Sequence, residues 1–425
     1  MTKKYFSILL ILLIIFDSVA CKNLKSFAEM IIISKDDEQA LRKAVDIINQ
    51  KGGIIFIRTP IINIYGKETI NLSSNSSGGI IGVTQSKAYP IIDFKNARKE
   101  GSTATGFTIS GSNLYMKYLV IENAGGNGIS IGGNNNLLDH IITRYNNNSG
   151  IQLVDEANLN TLTYCYSYRN IDIKTYGANA DGFTIKQGAN NNIFKYCFSW
   201  DNSNDGWGFY NGGPGTKISF INSACWNNGN PNVFTGKYDY DNRHFIDNKL
   251  WTIQQITSSD SSFLRNYLER AYNISNSKIN NEKAIDWLYK AESEMNGSGF
   301  KFGSKTTSQN SIVKAVYCIA FDHKSIGFDN NNSEQCTGYI ENCASFNNRI
   351  NYQLPYIFEK WSKVWSWKPK FADSYKQQFQ MLRIPRDINA ATQSIYSIRT
   401  QIKLNCDLNI FDDKINFDNV IKTLT

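Results

Sequence analysis

Asp181, Asn204, Asp205 and Lys301 stand at related places in a motif that recurs from about Gly128 to Asn351. In each copy an aromatic residue and a run of asparagines precede a small residue, which opens an apolar-alternating strand. The clearest copies are Gly150-Ile-Gln-Leu, Asp181-Gly-Phe-Thr-Ile-Lys186, Asp205-Gly-Trp-Gly-Phe209, Ser298-Gly-Phe-Lys-Phe302 and Ile326-Gly-Phe-Asp329. Aligned on the glycine, Asp181 and Asp205 precede it and Lys301 follows it by two. Strand side chains alternate faces, and stacked strands lie about 4.8 Å apart. Asp181 and Asp205 then sit one coil apart, beside Asn204. Two like charges that close repel unless one takes a proton or a cation bridges them. Ligands that are all oxygen suit calcium. Lys301 falls on the same face about two coils from Asp205, on the order of 10 Å, a gap that one sugar ring spans. Asp and Asn also do turn work at such corners, so the residues alone leave both readings open.

The elements that must position these side chains follow from the same motif. Its glycines fall at Gly128, Gly150, Gly182 and Gly206, and again at Gly299 and Gly327. Self-similarity at a period of about 20–50 residues marks a stacked solenoid. The fold read here is all-β, a parallel β-helix, with each glycine at a corner that needs φ > 0 or close backbone packing. Phe183, Ile185, Trp207, Phe300 and Phe302 then point inward, while Thr184, Lys186 and Lys301 share the outer face. Asn232-Val-Phe234 reads as a weaker rung one coil after Gly206, and the stretch from there to Gly299 is too long for a single coil. Helical spacing in Phe263, Leu264, Tyr267, Leu268 and Tyr272, and again in Ala284, Ile285, Leu288 and Ala291, predicts a mostly helical insertion over 238–296. Such insertions often wall a binding groove. Ser34-Lys-Asp-Asp37 resembles a capping box for a helix carrying Leu41, Ala44, Val45 and Ile48, with Gly52 as its stop, an N-terminal helical cap. After Pro355 the pattern breaks. The tail, 356–425, is partly helical and carries Trp361, Trp365, Trp367 and Phe371, as a cap over the open end or as sugar-stacking rings.

Composition bounds the function classes. The 425 residues are 41% hydrophobic and 13% aromatic, enough for a large core, and the formal charge is +8. A basic solenoid attracts polyanions; with no nucleic-acid motif, a polyuronate fits that charge and nucleic acid is not expected. Lys3 and Lys4 followed by apolar Tyr5 to Phe16 read as an export signal over 1–20. Ser18-Val-Ala-Cys21 resembles a lipoprotein cleavage site with Ser in place of Leu, which makes Cys21 a lipidation site and the one membrane link. The protein is thus expected outside the cell or at its surface, as a monomer, with its β-helix domain over 21–355. Cys165, Cys197, Cys318 and Cys343 each stand three residues before an aromatic, Tyr168, Trp200, Phe321 and Phe346, and would stack as one column. Buried thiols and disulfides both remain open for them.

The runs Asn179-Ala-Asp-Gly-Phe183, Trp200-Asp-Asn-Ser-Asn-Asp-Gly-Trp207, Asn296-Gly-Ser-Gly-Phe-Lys-Phe-Gly303 and Ala320-Phe-Asp-His-Lys-Ser-Ile-Gly-Phe-Asp-Asn330 resemble the family 9 polysaccharide lyases over roughly 165–350. That resemblance implies a right-handed parallel β-helix and an acidic polysaccharide substrate, polygalacturonate above all, cut by calcium-assisted β-elimination. By motif position it implies Lys301 as the base and Asp181, Asn204 and Asp205 as calcium ligands. The family's second motif reads Asp-Asp-Gly-Trp-Asp, whereas this chain has Asn204-Asp205-Gly206-Trp207-Gly208. One carboxylate has become an amide and one is missing, so calcium affinity should fall, to the point of needing substrate to complete the shell. Lys186 and Lys324, near the same groove, would meet substrate carboxylates or stay solvated.

Three functions follow. The first is an exported polyuronate lyase. The second is a surface glycan-binding β-helix without catalysis, which Gly208 favours and the Gly299-Phe-Lys301 run opposes. The third is a β-helix glycoside hydrolase with Asp181 and Asp205 as its acid–base pair.

Overall fold

The structure, a computed structural model, describes residues 29–83, 88–155, 157–186, 188–210, 216–230, 238–239, 244–245, 290–291, 293–303, 311–331, 336–354, 360–371, 373–375, 382–407 and 417–424. Parallel strands stack coil upon coil into a β-helix. One face is a sheet whose strands run in chain order: 70–72, 107–109, 129–131, 151–153, 183–186, 207–210, 300–301, 326–329, 350–354 and 374–375. The register aligns Ile129, Ile151, Phe183, Trp207, Phe300, Phe328 and Tyr352 in one column. All are fully buried. From Phe183 onward their rings stack at centroid distances of 5.0, 4.5, 5.0 and 5.1 Å. Each such pair adds about 0.5–1.5 kcal/mol beyond area burial.

The glycines that begin these strands serve close approach and not unusual dihedrals, since none of Gly150, Gly182, Gly206, Gly299 or Gly327 has positive φ. A Cβ on Gly182 would overlap Ser199 Oγ, and one on Gly299 would meet the Gly327 carbonyl oxygen at 2.5 Å. Positive φ falls instead on larger residues at the other corners, in pairs five apart: 118 and 123, 140 and 145, 164 and 169, 196 and 201, 222 and 227, 317 and 322, 342 and 347. The asparagines build a buried ladder through the corner before the glycines. Asn146 Nδ2 donates to Asn170 Oδ1, Asn170 to Asn202 and Asn202 to Asn228, at 2.9, 2.9 and 3.0 Å. His323 takes the next place, its Nδ1 accepting from the Asn228 amide at 3.2 Å, and burial pushes that imidazole down to about 3. The cysteine column forms as aligned, with Ser223 filling the coil between Cys197 and Cys318, and the seven described cysteines are buried free thiols.

Three expectations change. Asn232–Phe234 lies outside the described residues, but it cannot be a rung between Gly206 and Gly299, because Trp207 pairs directly with Phe300. Trp226 likewise pairs directly with Phe321. The chain leaves the coil at Gly229, whose amide donates to Asn202 O, and re-enters at Gly297, which lies against Asn204 O. Residues 230–296 are therefore spliced into a turn that the coil beneath makes with Ser203 followed at once by Asn204. Most of 238–296 lies outside the described residues, which include a short antiparallel pair, Tyr238–Asp239 with His244–Phe245, and buried Ala291 and Met295.

The N-terminal helix α1 (Glu38–Lys51) buries Leu41, Ala44, Val45 and Ile48 in the same core as Ile55, Ile70 and Leu72. Its N-cap is Asp37, which accepts from the Ala40 amide, and not Ser34; Asp37 is the short acceptor nearest the first helical residue. At the other end the strands continue past 355, with 360–367 pairing along 339–346. Helix α2 (Ile388–Asp407) lies along the flank of the solenoid and not over its end. It covers a second aromatic stack, Tyr168, Trp200, Trp226, Phe321, Phe346 and Trp367, spaced 4.3–5.6 Å ring to ring. Trp365 and Trp367 are thus buried core residues. Residues 1–28, including Cys21, lie outside the described residues.

Candidate active-site groove

Asp181, Asp205 and Ser298 occupy one position on three consecutive coils, the residue before the glycine. Each carboxylate reaches to the next coil. Asp181 Oδ1 accepts the Asp205 amide at 3.0 Å, and Asp205 Oδ1 accepts the Ser298 amide at 2.7 Å. The second oxygens are taken as well. Asp181 Oδ2 accepts from Thr184 Oγ1 at 2.9 Å, and Asp205 Oδ2 from Lys301 Nζ at 3.1 Å. Both aspartates are buried, whereas the Lys301 side chain is 27% exposed.

Lys301 is therefore one coil from Asp205 and in contact with it, not two coils away across the width of a sugar. The rung expected at 232 accounts for the difference. Without it, the aspartate and the lysine, far apart in sequence, become neighbours.

Electrostatics follow from this packing. The Asp205 carboxylate raises the Lys301 ammonium well above the usual lysine range, against the opposing effect of burial, and Asp181 adds to the rise. Burial alone would favour the free amine, and the Asp205 charge outweighs it. Asp181 is pushed up to about 7, by burial first and by the Asp205 charge second.

An open groove of about 350 Å³ lies over this cluster. Asp181, Asn204, Asp205, Lys186 and Lys301 all line it, with Thr184, Gly208 and Tyr210. Lys324 does not; it lies in the corner turn, where its amide donates to Asn228 O. Tyr210 was missed by sequence reasoning, although it stands four after Gly206, in phase with Lys186, its partner across the strand pair.

The donor set does not fit a resident calcium. That ion asks for six to eight oxygens, and here all four carboxylate oxygens already hold protein donors, one of them a cationic ammonium. The Asp181 carboxylate lies over Gly208, so that a Cβ at 208 would overlap Oδ2. Among the described residues, no three His, Cys, Asp or Glu side chains converge on one metal position. The chemistry on display is a buried, hydrogen-bonded acid pair with a partly exposed lysine at its edge.

Residues 34–242 match the family model described as Pel9A-like, right handed beta helix region. The chain is 27% identical over 286 residues to pectate lyase L of Dickeya chrysanthemi, covering 67% of this chain and 53% of that protein. It is 32% identical over 193 residues to pectate lyase L of Paenibacillus polymyxa (strain SC2), covering 42% of each. The chain spans about half the length of the curated relatives it matches. Among solved structures, pectate lyase Pel9A superposes with a TM-score of 0.54 at 19% identity, over 86% of this chain and 85% of that one, which shows the fold.

Proposed function

For a chain that is a family 9 pectate-lyase-like right-handed β-helix, we propose that the groove binds a polyuronate, polygalacturonate foremost, and that Lys301 takes the C5 proton in a β-elimination. The observation that carries this reading is the meeting of Asp181, Asp205 and Lys301, from three consecutive coils, in one groove. The C5 proton would pass to Lys301 Nζ. Its electron pair would form the C4–C5 double bond, and the C4–O bond would break, the leaving oxygen taking a proton from water. Asp205 fixes where the Lys301 nitrogen sits, which favours reaction through orientation. It also keeps that nitrogen protonated, so elimination draws on the small neutral fraction. No step is assigned to calcium, since the donors present do not fit it. The same reading takes residues 1–20 as the export signal and Cys21 as the anchor.

A second reading, a glycan-binding protein without catalysis, is favoured by the Lys301–Asp205 ion pair, which occupies the base. The hydrolase reading is weaker, because Asp181 and Asp205 both spend an oxygen holding the next coil. The test is ultraviolet detection of unsaturated uronides from polygalacturonate and other polyuronates. A signal lost in Lys301→Ala is expected. Saturated products would support hydrolysis, and binding with no product would support the second reading.

A further inference from the structure

With both groove carboxylates occupied, the question is what receives the carboxylate of an incoming uronate. Lys186 ends the 183–186 strand and Tyr210 ends its neighbour, and the two are paired in register. The Lys186 Nζ stands 5.9 Å from the Tyr210 ring centroid, within reach of a cation–π attraction. Tyr210 is 56% exposed, a large aromatic held open to the groove. The acids lining the groove are Asp181 and Asp205, and among the described residues Lys186 has no carboxylate partner. Gly208 precedes Tyr210 by two on the same face, so no side chain rises from that position of the floor between Lys301 and Tyr210. From Thr184 to Lys186 is two strand residues, about 6.6 Å, room for a sugar ring beside the Lys301 cluster.

We propose that Lys186, positioned by the Tyr210 ring, is the groove's receptor for a substrate carboxylate, with no divalent cation between them. This rests on the polyuronate reading and deepens it: the ammonium supplies the charge recognition, and the ring orders a side chain that would otherwise sample many rotamers. Lys186 binds substrate directly, and Tyr210 is a positioning residue. Neutral galactans gain nothing from Lys186, so the pair sets a preference for uronates.

The experiment uses galacturonate and galactose as probes, in excess chelator, with binding read by nuclear magnetic resonance titration. Galacturonate has no glycosidic bond at C4, so turnover cannot interfere. Wild type is expected to bind galacturonate over galactose. Lys186→Met should weaken galacturonate about tenfold, the size of one charge-assisted hydrogen bond, and remove its salt dependence. Tyr210→Phe should bind as wild type, whereas Tyr210→Ala should weaken galacturonate without changing the fold seen by circular dichroism. Unchanged affinity in Lys186→Met, or wild-type binding that vanishes in chelator, overturns the proposal. The two proposals fail separately. Loss of binding in Lys186→Met beside a wild type that makes no unsaturated product keeps the receptor and sinks the lyase. Elimination at wild-type KM in Lys186→Met does the reverse.

Discussion

The carboxylate of Asp181 lies across Gly208, in the space that a side chain at 208 would need. The two positions belong to adjacent coils, and the open floor at one is the condition for the inward lean of the other. An aspartate at 208 would have to displace Asp181, lose its bond from Thr184 and place a third carboxylate on the cluster.

Gly208→Asp is therefore expected to raise the chain's calcium affinity. Added calcium should leave the melting temperature of the natural protein unchanged and raise that of the variant, as binding to the native state does. Without calcium the variant should be less stable by about 1–3 kcal/mol, from overpacking. Calcium-dependent stabilisation of the natural protein would contradict the donor-set argument.

The pairing with Asp205 fixes a pH dependence for Lys301. Its folded value lies above the usual lysine range, so its neutral fraction grows about tenfold per pH unit through neutral and alkaline pH. The logarithm of the elimination rate should climb with a slope near one and show no plateau at neutral pH. Lys301→Arg should keep the ion pair and the fold but cut the rate by about 10²–10⁴. The ion pair stabilises the fold fully below the unfolded lysine value and is lost as pH rises through the folded one.

Asp181 works in the opposite sense. Its folded value, about 7, exceeds the 3.8 of the free side chain. Between those values the native state holds a proton that the unfolded chain has released, so this residue's contribution to stability falls as pH rises from about 4 to 7. Asp181→Asn should flatten that part of the melting-temperature profile, because the amide oxygen still accepts the Asp205 amide.

Helix α2 is tied down by a buried pair, Arg399 Nη1 at 3.7 Å from Asp322 Oδ2, with the Tyr396 hydroxyl on Asp322 Oδ1 at 3.1 Å. Arg399→Met should cost about 3–5 kcal/mol, because it removes the countercharge of a buried carboxylate. Adding Asp322→Asn should recover part of that loss in denaturant titrations.

Much of the scaffold was legible because the groove glycines recur with apolar alternation, and the inward column from Phe183 to Phe328 follows directly. Asn232-Val-Phe234 imitated that signal. One false rung displaced Lys301 by a coil, because spacing counts coils without knowing where the chain leaves the stack. The corner pairs five positions apart were present as a period but hidden, since Tyr, His and Arg hold many left-handed positions where Asn or Gly is expected. Lys186 and Lys301 were found because strand alternation places them on one face, and Asp181 and Asp205, with Asn204 beside, because they share the position before the recurring glycine. What each carboxylate oxygen holds was beyond reach, since three of those four bonds run between coils. The flank position of α2 was also hidden: the ring stack beneath it resembles core in sequence, yet faces outward until covered.

The splice between Gly229 and Gly297 has a kinetic consequence. Nearest-neighbour stacking lets the coils up to Trp226 zip in sequence, but the next coil must first bring Gly229 and Gly297 together across the inserted residues 230–296, where the coil beneath has no insertion. Closure cost grows by about 0.6 kcal/mol per doubling of loop length, a small tax on stability that falls wholly on the approach to the folded state. The half of the groove bearing Asp181 and Asp205 is thus free to assemble before the half bearing Lys301. A chain joined directly from Gly229 to Gly297 should fold faster, with the lysine and its aspartate brought together by local search.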